Sequence, residues 1–273
     1  MIAPTTCAEK AQGDPSTAHP RSGSWIVAGY FPVSLFSLRM THATSKGGKT
    51  LTVPTPYAVK LALIDACFRR YNSDEAVDMA QHAFDVVKAR EVRLKPPRHC
   101  IVQNTFIRVL DQSRTSDEEQ PFKRTIVYRE FAWYSCLSDD DSDRMTVGIA
   151  SSGLSPGDRD FLMGLLAHIN HFGKRGGFFQ FEKATVYENG LPPGFTRIRE
   201  DALFSELAQQ FGLTHALDDF GEALFTTIGG FDRISTYGKD RITLGKERVL
   251  RLTGIPYQRH LAGRGFTWYK RAL

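Results

Sequence analysis

The strongest constraint on this chain is the order in which its hydrophobic pattern changes period. Residues 25–40, WIVAGYFPVSLFSLRM, are dense in aromatic and β-branched residues and read as a buried strand bent at Pro32. After Pro54-Thr55-Pro56, the apolar residues Val59, Ala62, Leu63, Ala66 and Cys67 recur at helical spacing. That recurrence predicts an amphipathic helix over about 56–71, with Lys60, Arg69 and Arg70 off the apolar stripe. A second helix is expected over about 74–89, with Ala76, Ala80, Ala83, Phe84 and Val87 inward and Ser73 or Asp74 as its cap. Strands are expected at 100–110, 122–136 and 145–151, joined by acidic, polar loops. A third helix over about 156–171 collects Phe161, Leu162, Leu165, Leu166 and Ile169 on one face and stops at Gly173 as a left-handed cap; a strand over 177–187 follows. LPPG (191–194) then breaks the chain before a short helix at 200–211, and 225–273 reads as strand-like segments separated by Gly and Pro.

Up to residue 187 the order is strand, helix, strands, helix, strand. This is the βαββαβ pattern of a ferredoxin-like (RRM-like) α+β core, with an inserted helix after the first, an extra strand in the middle and a β-rich C-terminal extension. The chain divides accordingly into a flexible leader (1–24), the core (25–190) and a basic α/β extension (191–273). The leader is small, polar and Pro/Gly-rich, and it lacks the apolar stretch of a secretory signal. No run approaches the ~18 consecutive apolar residues of a membrane span, which excludes an integral membrane protein built on helices. Cys7, Cys67, Cys100 and Cys136 form no CxxC pair, so a zinc ribbon, an iron–sulfur site and a disulfide scaffold are not expected. A reducing cytoplasm is the simplest compartment.

Charge is unevenly distributed. The whole chain carries +5, yet residues 226–273 hold ten Lys/Arg against three acids, while 111–143 hold nine acids against four bases. That polarity suits one face for a polyanion and another that avoids it or meets basic partners. Gly48-Lys49-Thr50 superficially resembles the end of a P-loop, but position 43 is Ala and Val53-Pro54 stands where a helix would have to begin. What remains is a loop, 39–50, with Arg39, His42, Lys46 and Lys49 among small hydroxyl and glycine residues suited to phosphate contacts. The stretch His171-Phe172-Gly173-Lys174-Arg175-Gly176-Gly177-Phe178-Phe179 offers a second such place, where glycines allow close approach to phosphate and aromatics can stack on unpaired bases. His168 and His171 lie three apart without an acidic or thiol partner, and the Asp139–Asp143 tip lacks the glycine and terminal Glu of a calcium loop, so no metal and no cofactor is expected. For acid–base chemistry on RNA, His42, Tyr57 and Lys60 are the residues close enough in sequence to meet; GxSxG, GxGxxG and paired-carboxylate signatures are absent.

Two stretches resemble a known family. Leu38-Arg39-Met40-Thr41-His42-Ala43-Thr44-Ser45-Lys46, with Val53-Pro54-Thr55-Pro56-Tyr57-Ala58-Val59-Lys60-Leu61, resembles the start of a RAMP-type CRISPR-associated protein, and more narrowly the Cas-five family of type I Cascade complexes. The His-Phe-Gly-Lys-Arg-Gly-Gly turn is similar to that family's glycine-plus-basic segment before a strand. The resemblance implies a non-catalytic subunit that grips the 5′ handle of the guide crRNA, meets the large and backbone subunits of the effector complex, and touches target DNA only indirectly. It implies RNA contacts from Arg39, His42, Lys46, Lys49, Lys60, Lys174 and Arg175. The alternative it leaves open is a metal-independent endoribonuclease that processes precursor crRNA with His42, Tyr57 or Lys60. The leader, the second helix and the long C-terminal third depart from the family pattern.

Overall fold

The computed structural model describes residues 23–40, 47–110, 124–135, 143–173, 177–201, 204–226, 229–234 and 242–272. The expected leader therefore lies outside the described residues except for Gly23 and Ser24. In chain order the elements are β1 (Trp25–Pro32), β2 (Leu38–Arg39), β3 (Gly47–Gly48), β4 (Thr50–Leu51), α1 (Pro56–Arg70), α2 (Ser73–Val87), β5 (Val92–Lys95), β6 (His99–Leu110), β7 (Arg124–Tyr134) and β8 (Met145–Ala150). They continue with α3 (Pro156–Leu166), β9 (Phe179–Tyr187), β10 (Arg197–Ile198), α4 (Phe204–Leu207), β11 (Leu213–Phe220), α5 (Glu222–Thr226), α6 (Gly230–Arg233), β12 (Arg248–Ile255), β13 (Tyr257–Gly263) and β14 (Phe266–Arg271).

A four-stranded sheet runs in the order β5-β8-β1-β9, and every neighbouring pair is antiparallel. The helices connect strands that are not neighbours: α1 and α2 lead from β1 to β5 with β8 between them, and α3 leads from β8 to β9 with β1 between them. Period-2 alternation makes this work. Ile26, Ala28 and Tyr30 of β1 and Met145, Val147 and Ile149 of β8 are buried in one core with Leu63 and Ala66 of α1 and Leu162 and Leu165 of α3. The Tyr30 hydroxyl donates to the Leu166 carbonyl at 2.8 Å, which satisfies a polar group within that core. The opposite face carries Trp25, Val27 and Gly148, and Phe195 packs there; a Cβ on Gly148 would lie 3.0 Å from Leu191 and 3.1 Å from Phe195. The segment after β9 therefore covers this second face.

The structure corrects several expectations. The first strand is not continuous: β1 ends at Pro32, which has no N–H to donate, and Phe36 bridges instead to Ala132. Two of the expected middle strands, β6 and β7, leave the first sheet and form a five-stranded one in the order β13-β14-β6-β7-β3. The short β5, which the hydrophobic pattern does not announce, takes the place beside β8. Alternation identifies a strand but not its partner, so it leaves these pairings open. α2 begins one residue early, after Asn72 rather than at a Ser73 or Asp74 cap. α3 stops at Leu166, five residues short of expectation; Gly173 does adopt a left-handed conformation (φ 73°), but in the following turn. β11 was missed, and it pairs along its full length with β12. Cys67 and Cys100 are buried free thiols. Among the described residues no helix is long and apolar enough to cross a membrane.

Candidate nucleic-acid interface

The lead-in to α1 sets the site. Pro56 occupies the first turn, where its missing N–H costs nothing, and the Thr55 hydroxyl accepts from the Ala58 N–H at 3.1 Å. This start aims Tyr57 into a groove of about 430 Å3 whose walls include Leu38, Arg39, Leu51, His171 and Gly173. Arg39 and Thr50 are paired across β2 and β4, which fixes Arg39 at the groove. Gly173 sits directly against β2, since a Cβ there would lie 3.7 Å from Leu38 Cδ2. The two stretches singled out in the sequence thus meet at one place. The segment 41–46 begins one residue beyond Met40, and Lys174 and Arg175 follow directly on Gly173.

The structure treats the expected site residues differently. Arg39 is half-exposed on the groove wall, Tyr57 is half-buried in it, and Lys49 is exposed just before β4. His42, Lys46, Lys174 and Arg175 lie outside the described residues, as do residues 139–142 of the acidic tip. Phe178 is 50% exposed at the far end of the glycine turn while Phe179 is buried, so one ring of that pair is available for stacking. His168 and His171 are past the end of α3 and are not neighbours on a helix face. The ring of His168 bonds the Gly164 carbonyl at 2.9 Å, and that of His171 bonds the Asn170 side chain at 2.7 Å. Among the described residues no group of three or more His, Cys, Asp or Glu could hold a metal ion. Because Gly173 has φ 73°, Gly173→Val should lower stability by about 1–3 kcal/mol, and a thermal melt reads this directly.

Lys60 is corrected. It lies on the inward side of α1, 1% exposed, with Nζ 2.7 Å from Asp219 of β11 and donating to the Lys88 carbonyl at 3.1 Å. A cation consumed this way offers nothing to a phosphate, and it stands equally far from any role as a surface catalytic base. Burial lowers its affinity for a proton, against the opposing pull of Asp219; burial likewise raises the Asp219 carboxyl, against the pull of Lys60.

Sequence reasoning missed Arg248 and Asp218. The Arg248 guanidinium lies 4.3 Å from the centre of the Tyr57 ring and is ion-paired to the buried Asp218, and both line the groove. Phe220, buried in the core, packs edge to face with Tyr57 at 5.2 Å. The one available signal was the Leu213–Phe220 segment, LTHALDDF, whose paired aspartates follow an apolar stretch. Burial raises the Tyr57 phenol above its ordinary range; Arg248 opposes that shift and Asp218 adds to it. Tyr57 is consequently protonated at neutral pH, a hydrogen-bond donor rather than a base.

No protein-family model matches the sequence. A curated CRISPR-associated protein Cas5 from Archaeoglobus fulgidus is 26% identical over 105 residues, a match that spans 38% of this chain and 44% of that protein. A crystal structure of a CRISPR protein from the same organism aligns over 92% of both chains with 11% identity and a TM-score of 0.42. A resemblance to the Cas-five family is thus supported by a curated protein of that name, to which this chain is similar over the 105 matched residues, less than half the length of either.

Proposed function

We propose that this chain is a non-catalytic, guide-RNA-binding subunit of a type I CRISPR effector complex, built on a ferredoxin-like core, that holds the 5′ handle of the crRNA and contacts backbone and large subunits. One observation carries the reading: Leu38 and Arg39, which precede the stretch with His42 and Lys46 in sequence, and His171 and Gly173, which precede Lys174 and Arg175, line one groove with Tyr57. Backbone amides and cations at such a junction suit a bent, single-stranded RNA held through its phosphates, and the exposed Phe178 offers a ring face to a splayed base. The ferredoxin-like assignment is supported by the antiparallel order β5-β8-β1-β9 with its two interleaved crossovers. The likeness to a protein named Cas5 supports the CRISPR setting.

Protein co-expressed with a repeat array should carry a discrete short RNA, and free handle RNA should bind with steep salt dependence. Replacing Arg39, Lys46, Lys174 and Arg175 by Ala should flatten the salt slope by about one for each phosphate no longer neutralised. Equal affinity for any polyanion of similar charge overturns the specific reading. Repeat RNA incubated in EDTA should remain intact; cleavage abolished by His42→Ala would replace this proposal with the endoribonuclease alternative.

A further inference from the structure

The five-stranded sheet has a face that the groove does not use. Registration puts Trp268 of β14 opposite Ile101 of β6 and Ile101 opposite Trp133 of β7, in one row across three strands. The next row on the same face sets Phe266 opposite Gln103 and Gln103 opposite Phe131. Neighbouring strands are about 4.8 Å apart and rows about 7 Å apart, so four aromatic rings share a platform roughly 10 Å across. The face is open: Trp133 is 43% exposed and Phe131, Phe266 and Trp268 are partly exposed. Cys100, Ala132 and Tyr134, which point the other way, are buried in the core.

The surroundings of this platform give it a sign. His260 packs edge-on to Trp268 at 4.7 Å, and the Trp268 indole N–H donates to His99 at 3.1 Å. Beside them a cleft of about 280 Å3 is lined by Gln258, Arg259, His260, Lys270 and Arg271. From Pro256 to the end, the chain has Arg259, Arg264, Lys270 and Arg271 and no Asp or Glu. The two rows also contain no carboxylate. Aromatic rings beside a cationic rim match the chemistry of an unpaired polynucleotide: bases for the rings and phosphates for the rim. The comparable face of the four-stranded sheet cannot serve this way, because Leu191 and Phe195 lie on Gly148.

We propose that the face of the five-stranded sheet bearing Trp133, Trp268, Phe131 and Phe266 is a second nucleic-acid site, which stacks the bases of an unpaired strand while Lys270, two residues from Trp268 on the same strand face, holds a phosphate. It shares no residue with the groove and stands without the handle-binding reading.

The chain supplies its own probe. Two of its three tryptophans are on this face, and the third, Trp25, is 6% exposed in the other sheet. Titrating the full chain with an oligothymidylate of about 12 nucleotides should quench intrinsic fluorescence, since each stacked base meets an indole or a neighbouring ring. Trp133→Ala combined with Trp268→Ala should weaken binding of the labelled oligomer at least about tenfold, while Trp133→Phe with Trp268→Phe retains most of it. Absence of quenching in the unaltered protein, equal quenching by heparin, or unchanged affinity in the double-Ala variant would each overturn the proposal, the first in favour of a protein-docking face. The unaltered protein decides the matter even if the double-Ala variant fails to fold, and handle RNA that binds without quenching defeats this site alone.

Discussion

Lys60→Ala should destabilise the protein by roughly 3–5 kcal/mol, the cost of leaving a buried charge without its partner. The reason is geometric. The Lys60 ammonium, 2.7 Å from Asp219, is one of the few buried cations among the described residues, and its side chain also spans from α1 to the Lys88 carbonyl at the end of α2. Removing it strands Asp219 against Phe220 and cuts a link between β11 and two helices. Protonation of Asp219, whose carboxyl is already raised by burial, moderates the loss at low pH. Urea unfolding should show the midpoint falling with little change in slope. Lys60→Met with Asp219→Leu should recover most of the loss, because well-packed apolar replacements for a buried ion pair are often neutral or stabilising. A Lys60→Ala variant of full stability that has lost RNA affinity selectively would contradict the structural role and restore Lys60 to the RNA-facing set.

The second large effect is acid sensitivity at His215. This residue of β11 is 8% exposed, with Nε2 3.1 Å from the Thr52 hydroxyl, and burial pushes its imidazole down to about 4. The unfolded chain titrates near the ordinary value of about 6.5. Between those two values the unfolded state binds more protons than the folded one, so stability rises with pH through that window. The contribution is complete above about 6.5 and is lost as pH falls through 4, a change of roughly 3 kcal/mol. Carboxylates titrate in part of the same range, so the diagnostic quantity is a difference: His215→Gln should remove this part of the pH slope between about 4 and 6.5. Identical slopes in the two proteins would show that His215 is not buried as a neutral ring. Thr52 leads into Pro54 and Thr55, and loosening at His215 would therefore reach the start of α1 and the groove.

The two helices after β1 and the helix after β8 were legible because their apolar residues repeat at 3.6 and their starts carry Pro and hydroxyl residues. Strand β5 was not legible: VRLK is four residues long, too short for alternation to declare itself. Strand β11 was hidden for another reason, since its buried positions, on both faces, include His215 and Asp218, polar residues that hydrophobic periodicity assigns to solvent. The same blindness explains Lys60. A lysine one residue from Val59 reads as a surface cation unless a carboxylate from 159 positions further on is known to meet it.

By itself the sequence determined the three long helices, the two long middle strands without their pairing, the two basic glycine-containing segments and their likeness to the Cas5 proteins, because each rests on neighbours along the chain; it read 225–273 as strand-like throughout, whereas α5 and α6 stand at the start of that stretch. Only the tertiary structure decided that Arg39 and Gly173 share one groove, that Arg248 covers Tyr57, that Lys60 is internal, and that Trp133 and Trp268 stand in one open row. Those facts depend on strand pairing and burial between residues remote in sequence, where the free energy comes from desolvation and close packing rather than from local conformational preference.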